Sequence, residues 1–443
     1  MACASSRPRG SDRPGCFGKL NPVGARGHRQ GAPQCLESPG PQHFRHTRKC
    51  WGAKTGDTRV RPGAQLALPP HRGVSAEQCR VSFCRLRTHQ WCFLLFNAIL
   101  FHALLFGADF VEEYLLQSSP ATYTDAKVLE LRERARKLDM EPMKENISMH
   151  FAIKGPDICV TSDVFLLSMV FSNPANGTRR AQIRQTWANL TDVKGLLVLT
   201  LFVLGTSDSN DIQANVIAES HQHKDIIQGK FNDCDGNLIL KMKLMLEWVV
   251  TFCPFARFII KSDEDMFVNY KSLVEYLLGL KRHPDDLYIG RVIHQEMPDR
   301  NAQSKDFIPL SQYSEKYYPD YCSGAAFVIS QDVARKIFVA STETNLAVPY
   351  AMFVGICAKK AGVVPTHSSR FSGEKHIRYN RCCYSFMFTS AQMQLEELPT
   401  IWNEVREGKA CSLLETYSGL VSCKALTYLD RFSFFGTGKM NEK

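Results

Sequence analysis

Residues 88 to 108 contain no Asp, Glu, Lys or Arg, and the run WCFLLFNAILFHALLFGA within them separates the chain into parts that cannot share one folded core. As a helix, that run of apolar residues spans roughly 27 Å, close to the hydrocarbon thickness of a bilayer. Asn97 and His102 are its only strongly polar interruptions, so a membrane span accounts for it better than a buried core helix does. A cleaved signal peptide is shorter and sits at the extreme N-terminus, whereas about 90 residues precede this run. We therefore expect an uncleaved signal anchor over residues 88–110. Arg80, Arg85 and Arg87 come before it and Asp109, Glu112 and Glu113 after it; under the positive-inside rule residues 1–87 are cytosolic and the rest is lumenal or extracellular.

The formal charge of +10 does not signal nucleic acid once it is divided along the chain. Residues 1–90 hold 16 Lys and Arg against 4 acids, and residues 91–443 hold 38 against 40. The basic part is rich in Pro, Gly, Ser and Arg with no sustained apolar period, so it reads as a disordered tail and excludes a packed nucleic-acid module. Beyond the anchor stand the sequons at Asn146, Asn176 and Asn189 and nine of the 16 cysteines. Both fit a lumenal, disulfide-permissive setting, with at least one cysteine left over.

Residues 111–160 are highly charged with a few spaced leucines, as in a solvated or helical stem. From residue 161 to 410 the pattern changes. VFLLSMVFS, LVLTLFVLG and FARFII read as buried strands, and RRAQIRQTWAN and NLILKMKLMLEWVVTFC between them as helices. Alternating strands and helices predict an α/β domain with a mainly parallel central sheet. Residues 411–443 read as a C-terminal tail.

The strand FARFII runs directly into Lys261, Ser262 and three acids, Asp263, Glu264 and Asp265. Clustered carboxylates repel one another and lose hydration at a strand end unless a cation compensates them. In open α/β sheets ligands bind at the carboxyl ends of strands. Asp263 and Asp265 therefore read as hard oxygen ligands for Mn²⁺ or Mg²⁺, with a substrate pyrophosphate completing the coordination. Asp233 and Asp235 have the same spacing but sit in the polar turn FNDCDGN, where Asp more often caps backbone N–H groups.

Five blocks in order, RRAQIRQTWAN, DIIQGKF with NLILK, KSDEDMFVN, YYPDYCSGAAFVIS and FVGICAKKAGV, resemble the Golgi beta-1,3-glycosyltransferases over residues 160–405. The resemblance implies a GT-A fold behind a single-pass type II anchor in the Golgi membrane. It also implies a UDP-sugar donor, most like UDP-galactose, and inverting transfer to a 3-hydroxyl of an acceptor glycan. By position, Asp263 and Asp265 resemble the metal and donor acids; Arg180, Arg184 and Lys241 stand where the family keeps basic residues near the donor. Tyr321 and Gly324, in YCSGAAF, would line the acceptor side.

Two positions depart from the family pattern. Tyr350 and Ala351 occupy the acidic pair that normally precedes Val-Gly, whose second member resembles the general base; Glu343 is then the candidate base. Ala391 stands where the family commonly carries a metal-binding His eleven residues before a Trp, with His376 the nearest upstream histidine. On this reading turnover is in doubt. A weakened or inactive transferase acting in glycan binding or as a chaperone is the alternative expectation.

Overall fold

The structure is a computed structural model that describes residues 88–115, 125–140, 150–160, 162–280, 285–304 and 306–437. The expected cytosolic tail, most of the junction between anchor and stem, and the sequon at Asn146 lie outside the described residues. In chain order the elements are α1 (Thr88–Phe110), α2 (Ala126–Met140), β1 (Phe151–Ile153), β2 (Val164–Phe171), α3 (Gly177–Gln185), β3 (Asp192–Val193), β4 (Leu196–Thr206), α4 (Asn210–His223) and β5 (Ile226–Asn232). There follow α5 (Leu238–Phe252), β6 (Phe258–Asp263), β7 (Phe267–Val268), α6 (Tyr270–Gly279), β8 (Tyr288–Ile293), β9 (Tyr321–Ser330), α7 (Gln331–Thr342), α8 (Tyr350–Lys360), β10 (Thr366–His367), α9 (Arg381–Phe386), β11 (Thr389–Ser390), α10 (Leu398–Glu407) and α11 (Leu413–Thr437).

The sheet order is β1-β5-β4-β2-β6-β9-β8-β10, with β3 hairpinned onto β4. The expectation of a mainly parallel sheet needs correction. β5, β4, β2 and β6 are mutually parallel, but β9 runs antiparallel to both β6 and β8, and β1 antiparallel to β5. The sheet is mixed. Buried strands of either direction show the same continuous apolar run, so the sequence pattern cannot tell them apart. All eight residues of β2 and all ten of β9 are buried. One face of the sheet is covered by α5, α7 and α8, with Met245, Val249, Ile337 and Phe353 in the shared core. The other is covered by α3, α4, α6 and α10 through Ile183, Val216, Leu273 and Trp402.

α1 and the short turn continuing it to Leu115 form the one described helix long and apolar enough to cross a membrane, and none of its apolar window is buried in the protein. The stem helix α2 is docked as well as charged. Leu131 and Ala135 are buried in the core shared with α7, and Arg132 bonds Asp286 at 2.7 Å. Residues 411–443, read as a tail, contain α11, which two disulfides, Cys382–Cys411 and Cys383–Cys423, fasten to α9. A third, Cys159–Cys253, ties the approach to β2 to the end of α5.

A four-membered ion network fastens α3 to α4 and to the start of β5. Arg180 is fully buried and gives two bonds to Glu219; Arg184 pairs with both Glu219 and Asp225 at 2.7 Å. Burial opposes the charge on Glu219, but Arg180 and Arg184 outweigh it and hold the carboxyl below its ordinary value of 4.5. A carboxyl with a depressed value contributes stability above its unfolded value and loses it as pH falls through its folded one. Glu219→Gln leaves a buried guanidinium without its countercharge and is expected to cost about 3–5 kcal/mol at neutral pH. The gap from wild type should narrow as pH falls below 4.5 and close only below the depressed value of the folded carboxyl, where the native Glu219 is protonated too. Urea denaturation of both full-length proteins in detergent, at neutral and acidic pH, checks this.

Candidate functional site

Asp263 ends β6 where the parallel half of the sheet meets the antiparallel β9. It pairs in register with Phe171 at the end of β2, and the Glu264 N–H continues that ladder to the Phe171 carbonyl. The three acids then part company. Glu264 turns back to the β2–α3 loop, accepting from Ser172 Oγ, the Asn173 N–H and Asn176 Nδ2. Asp263 Oδ1 accepts from Lys261 at 2.5 Å. The Asp265 carbonyl accepts from the Met393 N–H, while its half-buried carboxylate makes no hydrogen bond or ion pair with the described residues. Repulsion is thereby relieved for two of the three, and the third is left free for an added cation.

Lys261 is the residue that sequence reasoning passed over. Its ammonium is fully buried and donates to Asp263 Oδ1, to the Gly324 carbonyl at 2.5 Å and to Tyr350 Oη at 2.8 Å, which satisfies all three of its protons. It also lies over the Phe171 and Tyr350 rings, 4.6 and 4.8 Å from their centroids. Burial draws the ammonium's pKa down and pushes that of Asp263 up; each partner offsets the other's desolvation. Tyr350 stands where the family pattern has an acid, and here its hydroxyl accepts from this lysine. Gly324 makes room for it: a Cβ there would meet Tyr350 Cζ at 2.7 Å and Ala351 Cβ at 3.3 Å.

This network forms one wall of a cleft of about 470 Å³ between the ends of β6 and β9, the first turn of α8 and the loop after β10. Asp263, Tyr321, Gly324, Tyr350 and Ala351 line one side, and Glu296, Arg291, Glu374 and Lys375 complete it. Tyr321 Oη donates to Glu296, so that carboxylate is held by the protein. The exposed Glu374 carboxylate makes no hydrogen bond or ion pair with the described residues. Nothing in the local sequence marked Glu374, which reaches the cleft only because the chain after β10 folds over β9.

The other expected donor residues lie behind the cleft wall. All five Arg180 donor protons are spent on Glu219, Ser172 Oγ and the Asn173 and Pro174 carbonyls, and Arg184 is committed to Asp225 and Glu219. Arg180 has no donor left for a ligand and braces the loop that receives Glu264, while Arg184 ties α3 to α4 and to the start of β5 through its Nε and Nη2. Buried Lys241 bonds the Ser172 carbonyl and Asp233 Oδ1. Asp233 in turn accepts from the Gly205 N–H of β4 at 2.7 Å rather than from the helix that follows its turn. Glu343 is not brought to the cleft. It caps the far end of α7 and pairs with Arg134 of the stem helix, because α7 carries it away from the strand ends.

Ala391 is buried beside β11, and His376, fifteen residues earlier, comes back to place its Nδ1 3.2 Å from the Ala391 carbonyl. The expected loss of a metal histidine at Ala391, and the doubt over turnover built on it, is corrected by another group. Asp109, Glu112 and His367 are intact and bring one ligand atom each within 4.8 Å of the others, close enough to hold a divalent cation. His367 Nδ1 lies 2.7 Å from Glu112 Oε2. Burial lowers its pKa to about 4, leaving the neutral imidazole that metals bind. Asp109 also accepts from Arg291 and Lys424, with which a cation would compete.

Residues 178–369 match the family model described as galactosyltransferase. The chain is 56% identical over 359 residues to human beta-1,3-galactosyltransferase 9, covering 81% of this chain and 97% of that protein. It is 36% identical over 300 residues to lactosylceramide 1,3-N-acetyl-beta-D-glucosaminyltransferase A of Xenopus laevis, covering 66% and 79%. Among solved structures, the apo WbbM bifunctional glycosyltransferase aligns with a TM-score of 0.29 at 10% identity, over 49% of this chain and 40% of that one.

Lys261→Met keeps the length of the side chain and removes its charge. It should leave Asp263 facing the cleft without its buried partner and Tyr350 and Gly324 without a donor, at a cost of about 3–5 kcal/mol. Chemical denaturation of variant and wild type measures it; a change under about 0.5 kcal/mol, the size usual at an uninvolved surface position, would contradict the central role given to the ammonium.

Proposed function

The chain belongs to the family of beta-1,3-galactosyltransferases and beta-1,3-N-acetylglucosaminyltransferases, and from that premise we propose that it is an inverting transferase of GT-A type in the Golgi membrane. It moves galactose from UDP-galactose to the 3-hydroxyl of an acceptor glycan on glycoprotein or glycolipid. The observation that carries the reading is the acidic turn at the β6 end: Asp265 is free, Asp263 is half-committed, and both stand at the parallel-to-antiparallel switch of the sheet. The preference for galactose follows the 56% identity to a galactosyltransferase against 36% to a glucosaminyltransferase.

The fit to a divalent cation is good at this turn, where among the described residues Asp265 offers a carboxylate with no hydrogen-bond or ion-pair partner and Asp263 an unused Oδ2 beside a buried ammonium. Two carboxylates are the hard donor set of Mn²⁺ or Mg²⁺. Such an ion, when bound, neutralises the charge gathering on the departing UDP. Lys261 offsets part of the desolvation of Asp263 and fixes its direction. Tyr321 and Gly324 form the acceptor side, where the Tyr350 ring fills the space that a side chain on Gly324 would take. With Ala351 in place of an acid, Glu374 is the cleft carboxylate free to accept the proton of the attacking 3-hydroxyl. As the acceptor oxygen bonds to the anomeric carbon on one face, the bond to UDP breaks on the other.

Asp265→Asn is expected to abolish metal-dependent UDP binding in calorimetry. Glu374→Gln should leave UDP binding intact and lower kcat by about 10²–10⁴, the usual worth of a positioned base. Retention of kcat in Glu374→Gln would remove that residue from the mechanism. Assays with UDP-galactose and UDP-N-acetylglucosamine side by side test the donor.

Asn189 is exposed at the end of a short helical turn, whereas the Asn176 amide nitrogen is occupied by Glu264 beside the acidic turn. We propose that Asn189 carries an N-glycan and Asn176 does not. Glycosidase-sensitive mobility on gels should then be reduced by Asn189→Gln and unchanged by Asn176→Gln.

A further inference from the structure

α11 leaves large apolar side chains uncovered on a domain that otherwise buries them. Leu413 and Leu414 are 92% and 76% exposed, and Tyr417, Tyr428 and Leu429 continue the exposure along the helix. Leu414, Tyr417, Val421 and Tyr428 follow the three- and four-residue spacing of one helical stripe. The opposite side, with Gly419 and Cys423, faces the domain, and disulfides at Cys411 and Cys423 prevent the helix from peeling away.

What lies beside the stripe is the membrane span. Tyr417 stacks on His102 with ring centroids 5.9 Å apart and planes within 7°, and Lys424 pairs with Asp109 and lies 4.6 Å from the Phe106 ring centroid. His102 to Asp109 and Tyr417 to Lys424 are both steps of seven residues, so the two helices run parallel and in step, rising roughly 10 Å over that interval. If Asp109 marks the lumenal surface, then Tyr417, Leu414 and Leu413 stand at the depth of the hydrocarbon around α1. Lys424 stands at headgroup level with its stem on Phe106, as a snorkelling lysine does. In the first turn Glu415 is turned back onto Ser412, accepting from its N–H and Oγ at 2.8 and 2.9 Å, which caps the helix start.

We propose that α11 is a second membrane contact whose N-terminal turns enter the lumenal leaflet next to the anchor. Where α1 does not cover it, the occupant of its apolar stripe is lipid, and the contact fixes the orientation of the whole lumenal domain on the bilayer. The contact rests on α1 as the membrane span and is independent of the chemistry in the cleft.

The test reconstitutes the full-length chain in phosphatidylcholine vesicles containing phosphatidylcholine with a diazirine in its acyl chain, irradiates, and maps lipid adducts by mass spectrometry. Adducts on residues 91–108 and on 413–429 together are expected, with those on 413–429 lost in Leu413→Glu/Leu414→Glu and those on α1 kept. Adducts confined to α1 would overturn the proposal. No adducts on α1 would overturn the span on which it rests. The wild-type map alone decides the matter if the double variant does not fold.

Discussion

The arrangement of the cleft depends on one ammonium group. Lys261 points into the interior from the last turn of a buried strand, where desolvation of its charge has to be offset by three acceptors and two aromatic faces. Those acceptors come from three different elements: the strand's own end, the neighbouring antiparallel strand and the first turn of α8. Satisfying the lysine therefore sets the relation of β6 to β9 and to α8. An ion pair at such depth adds little net stability, but it penalises every arrangement that leaves one member alone. Specific geometry at the strand ends is what this cost secures.

The second wall is organised by the same logic at one remove. Glu264 is held by the β2–α3 loop. That loop is in turn held by Arg180 and Lys241 through the Ser172, Asn173 and Pro174 backbone and the Ser172 hydroxyl. The basic residues spaced along α3 and α5 thus support the acids from behind. Glu219, Asp225 and Asp233 absorb their charge, while the cleft itself is lined by acids and bases together, Asp263, Glu296 and Glu374 with Arg291 and Lys375.

Cross-links then join the cleft domain to its neighbours. Cys159–Cys253 closes a loop of 94 residues containing most of the parallel half-sheet, and long loops are where a cross-link restricts the unfolded chain most. The paired bonds from Cys382 and Cys383 bring α11 onto α9, beside the β7–β11 strand pair that follows the acidic turn.

From the sequence alone came the membrane span, since twenty-one uncharged residues admit few other fates, and the order of strands and helices, since period and length are local properties. The acidic turn was also legible, because three carboxylates after a buried strand violate local burial rules and demand a reason. Strand direction was not, because an apolar run looks the same whichever way its neighbour points. Nor were the partners of Arg180, Arg184 and Glu343: a charged residue on a helix shows its charge in sequence, but the opposite charge that neutralises it lies 39 to 41 residues away for the two arginines and 209 for Glu343. His376 beside Ala391 and Glu374 opposite Ala351 belong to the same class, brought in by a loop crossing β9. Sequence fixes which groups must find partners; only the packed sheet, by bringing distant ends together in low dielectric, decides which partner each one gets.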